Sequence, residues 1–238
     1  MKTPDQHNPD SVIAGHTSRS YDEELGSLRA SLTRLGRSVL QQARDTLSAL
    51  TGKDIDLARS IIQRENRVDL CEIDIDARVL STIARRAPLG SDLRMVIAVS
   101  KGVVDLERIS DEAAKIADIV VNIYGSGALE PNSELIRDVH QMGCLAIATL
   151  ERAVDLYERL DDIGARELQA ENHQLEAAFE DGLRRLMTYV MEDSRNIGFM
   201  VDMVLAMKAY ERIAAHAQNL AEFVIYQVEG EDIRHSHP

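Results

Sequence analysis

The sequence predicts an all-α protein made of two tandem three-helix bundles with long antiparallel helices, and three observations carry that prediction. The stretch from Leu106 to Asp118 recurs in pattern from Tyr210 to Glu222, with Glu-Arg-Ile and two alanines in register. A chain that repeats itself at about half its length reads as two copies of one module. From Tyr21 onward the apolar residues follow a helical period, interrupted only at a few Gly, Pro and Asp/Asn/Ser positions. The composition, 45% hydrophobic and 28% charged with 4% aromatics and no Trp, suits a core filled by aliphatic and Met side chains.

Each element follows from its breakers. Residues 1–17 are polar, contain Pro4 and Pro9 and lack periodicity, which predicts a disordered leader. The first bundle is assigned to 18–127. Its first helix, 22–51, ends at Gly52, and Asp54 caps the second, 55–86, which stops before Pro88. Gly90 or Ser91 opens the third, 91–124, and Gly125-Ser126-Gly127 closes it. Pro131-Asn132-Ser133 leads into the second bundle, 128–230, with helices at 133–161, 165–191 and 194–228 separated by Gly164 and by Asp193-Ser194. Residues 231–238 read as a flexible tail. Helices of this size span roughly 45 Å, and short connections make neighbours antiparallel. Even Ile119 to Ile123, rich in Val and Ile, continues a helical stripe rather than starting a strand.

The halves align beyond the opening motif. Leu35-Gly36 matches Met142-Gly143, Ala58-Arg59 matches Ala165-Arg166, and Arg78 matches Arg185, all at an offset of 107. Glu107 and Glu211 are offset by 104, so the halves differ in length near the joint between their second and third helices, where loops absorb such changes. A pseudo-twofold relation is expected.

A formal charge of -13 argues against binding a nucleic-acid backbone or an anionic membrane, both of which call for clustered basic residues. Cys71 and Cys144 form no CxxC pair and sit among apolar neighbours in helical patterns, which predicts buried free thiols and a reducing compartment. Met1 to His16 has no apolar core of signal-peptide length, and runs such as Met95 to Val99 fall well short of the roughly 20 residues of a spanning helix. The expectation is a cytoplasmic protein.

Acidic spacing carries the chemistry. Glu107 and Asp111 lie one turn apart on the third helix, and Glu65 and Asp69 lie one turn apart on the second, with Glu72 and Asp76 continuing along the same face. Such pairs repel by a few tenths of a kcal/mol, and a divalent cation converts that repulsion into attraction. If the two helices pack side by side, four carboxylates meet and predict a metal site. With 40 acidic residues in a helical chain, the plainer reading is a solvated acidic face. The second repeat is poorer in ligands. Glu211 matches Glu107, but Ala215 stands in the place of Asp111, and Asn172 with Glu176 stands in the place of Glu65 with Asp69. Unless His216, Asn219 or Glu222 compensates, Glu176 and Glu211 form a degenerate second site.

Arg108 and Arg212 are expected to pair with carboxylates, and Ala113, Ala117, Ala217 and Ala221 to pack closely. The Met residues from Met187 to Met207 are expected to fill the core. His140 and His173 read as surface or boundary residues, and His235 and His237 as tail residues that close no site. No helix carries the Glu-x-x-His of a di-iron carboxylate protein, and His-Glu-x-x-His, Gly-rich phosphate loops and Gly-x-Ser-x-Gly are missing. No catalytic activity is expected.

The duplicated Glu-Arg-Ile motifs resemble those of the PhoU family of bacterial phosphate-signalling regulators. So do Ala87 to Arg94, Tyr189 to Arg195 and the ending Gly230 to His235. The resemblance covers nearly everything from Tyr21 to His235. It implies two tandem three-helix bundles, a homodimer, and iron or other divalent ions (zinc, manganese or magnesium) held by carboxylates. By position those carboxylates are Glu65, Asp69, Glu107 and Asp111, with Asn172 and Ala215 leaving the second cluster incomplete. It further implies a negative regulator that connects the phosphate transporter to a sensor kinase, through a PstB-type transporter ATPase and a PhoR-type histidine kinase. Two other readings accompany it: a structural scaffold whose acidic stripes meet no metal, and a carboxylate-bridged metalloenzyme.

Overall fold

The computed structural model describes residues 19–125, 133–171, 173–192 and 197–231, apart from the side chains of 173–176, 190 and 192. The expected leader, the 127/128 boundary, nearly all of the tail, Asn172, Asp193-Ser194, His235 and His237 lie outside the described residues. The described residues form seven helices and no strand: α1 (Arg19–Gly52), α2 (Ile55–Arg86), α3 (Gly90–Gly125), α4 (Ser133–Arg159), α5 (Asp162–Ala170), α6 (His173–Glu192) and α7 (Ile197–Glu229).

Local chemistry sets the boundaries, and it does so twice. Asp54 caps α2 by accepting the Leu57 N–H at 2.9 Å, and Asp161 caps α5 by accepting the Gly164 N–H at the same distance. The residues just before, Lys53 and Leu160, both turn left-handed, with φ of 55° and 53°. The Asp54 N–H reaches the Ala49 carbonyl at 3.0 Å, and the Asp161 N–H reaches Leu156 at 3.1 Å. All of these pairs keep the offset of 107, so the connection between the first two helices of each repeat has the same backbone and capping geometry. At the far end of α2, Ala87 takes φ 46° and donates to the Ile83 carbonyl, and buried Pro88 prevents the helix from continuing.

One contiguous cluster of buried side chains runs through both halves. Its broadest packing lies between α3 and α7, the helices that carry the repeated motif. Ala113, Ala117, Ala217 and Ala221 are buried there. Helices α1 and α4 meet reciprocally: a Cβ on Gly36 of α1 would stand 3.2 Å from Val154 of α4, and one on Gly143 of α4 would stand 2.7 Å from Leu47 of α1. Gly36 with Gly143, and Leu47 with Val154, are offset equivalents, so the contact is self-complementary as a pseudo-twofold axis requires.

Three expectations are corrected. The helix expected at 165–191 is two helices, α5 and α6: α5 starts earlier because Asp161 caps it, and it ends where Glu171 donates back to the Leu168 carbonyl at 3.3 Å. Arg152 of α4 grips Glu171 at 2.7 Å and Glu167 at 3.3 Å at that end. Cys71 and Cys144 are exposed, not buried. The apolar neighbours of Cys71 include Leu70 and Ile73, which themselves face out at 67% and 65% exposure, so local hydrophobicity misplaces the thiol. Core filling holds for Met200, Met203 and Met207 of α7, whereas Met187 and Met191 of α6 are exposed.

Candidate metal centre

Helix α2 lies along α3 and turns one acidic face toward it. From Asp69, Glu107 and Asp111, one carboxylate oxygen each falls within 4.8 Å of the others, and all three side chains are half-buried. Glu65, the fourth predicted residue, stands beside them, near enough for the charges of Asp111 and Asp69 to act on its carboxyl. Three of the four predicted carboxylates therefore converge, and the fourth borders them.

The electrostatics follow from that crowding. Burial first, then the charges of Asp111 and Asp69, pushes the Glu65 carboxyl above the ordinary range. Burial and then Asp111, Glu72 and Asp69 raise Glu107, with Arg108 opposing. Asp111 is raised mainly by burial, while the Lys115 ammonium pulls the other way. Glu72, which sequence reading placed only on the continuing stripe, is raised by burial and by Asp76, Asp69 and Asp111, so it belongs to the same field. Its i+7 relation to Glu65 is the signal that places it there. Half-buried like charges without a compensating cation are costly to hold together, and this all-oxygen donor set is the kind that hard divalent ions take.

The second repeat places its residues otherwise. Glu211 is ion-paired with Lys208, its neighbour one turn back. Lys208 also stands over the ring of Phe179, 5.3 Å from the centroid. At the repeat offsets Lys208 replaces Val104 and Phe179 replaces Glu72. Ala215 is exposed, Asn172 lies outside the described residues, and so does the Glu176 side chain. Neither His216 nor Asn219 turns to compensate: both hold buried Asp105 of α3, at 2.7 and 3.0 Å. Arg212 likewise reaches across to buried Glu112 at 3.1 Å, which Lys115 holds at 2.9 Å. Among the described residues, the first repeat holds the one converging group of metal-type ligands.

Comparison with known proteins accounts for the duplication. The PhoU domain matches twice, at residues 32–120 and 139–224. The chain is similar to the phosphate-specific transport system accessory protein PhoU homolog of a Burkholderia species, with 38% identity over 95% of this chain and 96% of that protein. It is also similar to the phosphate-specific transport system accessory protein PhoU of Escherichia coli K12, with 34% identity over 92% of this chain and 90% of that one. The crystal structure of PhoU from Pseudomonas aeruginosa superposes with a TM-score of 0.84 at 33% identity, covering 89% of this chain and all of the other. The phosphate transport system regulatory protein PhoU from Streptococcus pneumoniae superposes at 0.79 with 26% identity, over 89% of this chain and 98% of that one. The chain belongs to the PhoU family.

Proposed function

We propose that this PhoU-family chain is an accessory regulator of phosphate uptake that represses the phosphate-starvation response through a metal-stabilised first repeat. Its accessory role rests on the relatives' names. The observation that carries the metal reading is the meeting of Asp69, Glu107 and Asp111 within 4.8 Å, with Glu65 and Glu72 adding to the same negative field. These residues would hold an iron, manganese, zinc or magnesium ion, and the ion would supply the positive charge that the α2–α3 seam lacks. The ion's role is to lock α2 against α3, so the surface offered to partners depends on metal. Among the described residues no helix is long and apolar enough to cross a membrane. In this reading the chain reaches the transporter by protein contact: as a homodimer it docks on a PstB-type ATPase and a PhoR-type sensor kinase, without catalysing a reaction itself.

Two experiments test this. Elemental analysis of protein purified without chelator should find metal in the wild type and its loss in the Glu107→Ala/Asp111→Ala double variant; equal content removes the metal from the proposal. Deleting the gene should leave a phosphate-starvation reporter on in high phosphate, and complementation with the double variant should fail to switch it off. A reporter that stays repressed after deletion removes the regulatory role.

A further inference from the structure

The groove between α1 and α2, on the face of α2 turned away from the acidic cluster, is lined by four arginines, Arg34, Arg64, Arg67 and Arg78, in a protein of net charge -13. It encloses about 470 Å³. Arg64 is neutralised by Asp45 at 2.7 Å, and Arg78 has only Asp74 at 3.6 Å. Among the described residues Arg34 and Arg67 have no carboxylate partner.

At the inner end two guanidinium groups converge on one neutral atom. Arg34 donates to the Ser31 hydroxyl at 2.9 Å and Arg78 donates to it at 2.7 Å. Two cations sharing one hydroxyl repel each other, and a charged acceptor would serve both far better. The second repeat contains that acceptor. Asp138 occupies the place of Ser31, is buried like it, and takes the hydrogen bond of Arg185, the equivalent of Arg78, at 2.9 Å. The rest of the basic lining is also peculiar to the first repeat, because Gln141, Glu171 and Gln174 stand where it has Arg34, Arg64 and Arg67.

We propose that this groove binds an organic phosphate of nucleotide size, whose phosphoryl oxygens take the position that Asp138 fills in the duplicate. Guanidinium forks suit phosphate oxygens, and their convergence on a point fits a compact, multiply charged head group rather than an extended acidic strand. The volume lies within the usual range of small-molecule pockets, about 300–1,000 Å³. Leu35, Val68 and Ile75 line the same groove and offer an apolar wall for the organic part.

The test is calorimetric titration of the full chain with ATP, ADP and AMP, in EDTA so that no cation at the acidic cluster can bridge the ligand. The outcome therefore does not depend on whether the chain binds metal. Saturable binding that weakens with salt is expected. Ser31→Asp, which installs the duplicate's own carboxylate, and Arg34→Gln, which installs the duplicate's own residue, should each weaken binding at least about tenfold. Circular dichroism and Tm should stay near wild type for both. No saturable heat with any of the three nucleotides would overturn the proposal, as would unchanged affinity in both variants. Tighter binding of inorganic phosphate or of a polyglutamate peptide would overturn the ligand class.

Discussion

Glu107 shows how a single side chain can weaken the bare protein and still be the most useful one at its site. It is half-buried beside Asp111, Glu72 and Asp69, and its carboxyl is raised because burial and those three charges all oppose ionisation. Replacing it with Gln keeps the shape and removes one charge from the field. Relief of like-charge repulsion is worth a few tenths of a kcal/mol per pair, so several pairs sum to a Tm gain of about 1–3 °C in chelator. Thermal melts with and without EDTA, paired with metal analysis, check this: Glu107→Gln should be more stable than wild type without metal, less stabilised by metal, and depleted in it. A lower Tm in chelator would mean that the carboxylate is satisfied by protein groups alone. This residue was legible in the sequence because two carboxylates four apart must share a helical face. The salt bridge that occupies Glu211 was harder to see, since a Lys three residues away is ordinary on any solvated helix.

At the level of the helix, sequence punctuation worked where a residue type forces the backbone and failed where it does not. The expected limits of α2 match those observed because Asp54 caps one end and Pro88 blocks the other. The break between α5 and α6 has neither Gly nor Pro to announce it; beside it Glu171 pairs with Arg152 of another helix, a contact that no local pattern reveals. The arginine groove was hidden for the same reason, because Ser31 and Arg34 meet Arg78 only once α1 and α2 pack. Close approach of α1 to α4 was partly legible in the paired Gly36 and Gly143, and their environments separate their mutational costs. Either Gly→Ala change gains about 0.5–1 kcal/mol of helix propensity. At Gly36 the new methyl meets Val154 at 3.2 Å, a mild crowding, so Gly36→Ala should be nearly neutral. At Gly143 it meets Leu47 at 2.7 Å and the ring of Tyr210 at 3.0 Å. That ring is fully buried, and its hydroxyl is fixed 2.9 Å from Thr46. Gly143→Ala should therefore lose about 1–3 kcal/mol, measured by urea unfolding. Equal costs at the two sites would contradict the packing described.

Across the whole molecule, duplication has left one half electrostatically open and the other closed. The second repeat answers its acidic position with Lys208 against Glu211 and its basic position with Asp138 against Arg185. At the equivalent places the first repeat has Val104 and Ser31, neutral groups that leave the carboxylates facing α3 and the guanidinium groups facing α1 without those partners. Helix α2 thus carries opposite charge on two faces, and each face is poised for an ion from outside the chain. If Lys208 is the second repeat's substitute for a metal ion, the same substitute should work in the first. Val104→Lys places an ammonium one turn before Glu107, in the relation that Lys208 has to Glu211. The change removes some apolar contact, since Val104 is partly buried against the core. An added positive charge one turn from Glu107 should offset that loss and lower metal affinity at least about tenfold. The expected result is a variant with metal content near that of Glu107→Ala/Asp111→Ala and with a Tm in EDTA at or above wild type. Wild-type metal content in Val104→Lys would mean that the two repeats do not exchange a side-chain cation for a bound one, and that the asymmetry between them has another origin.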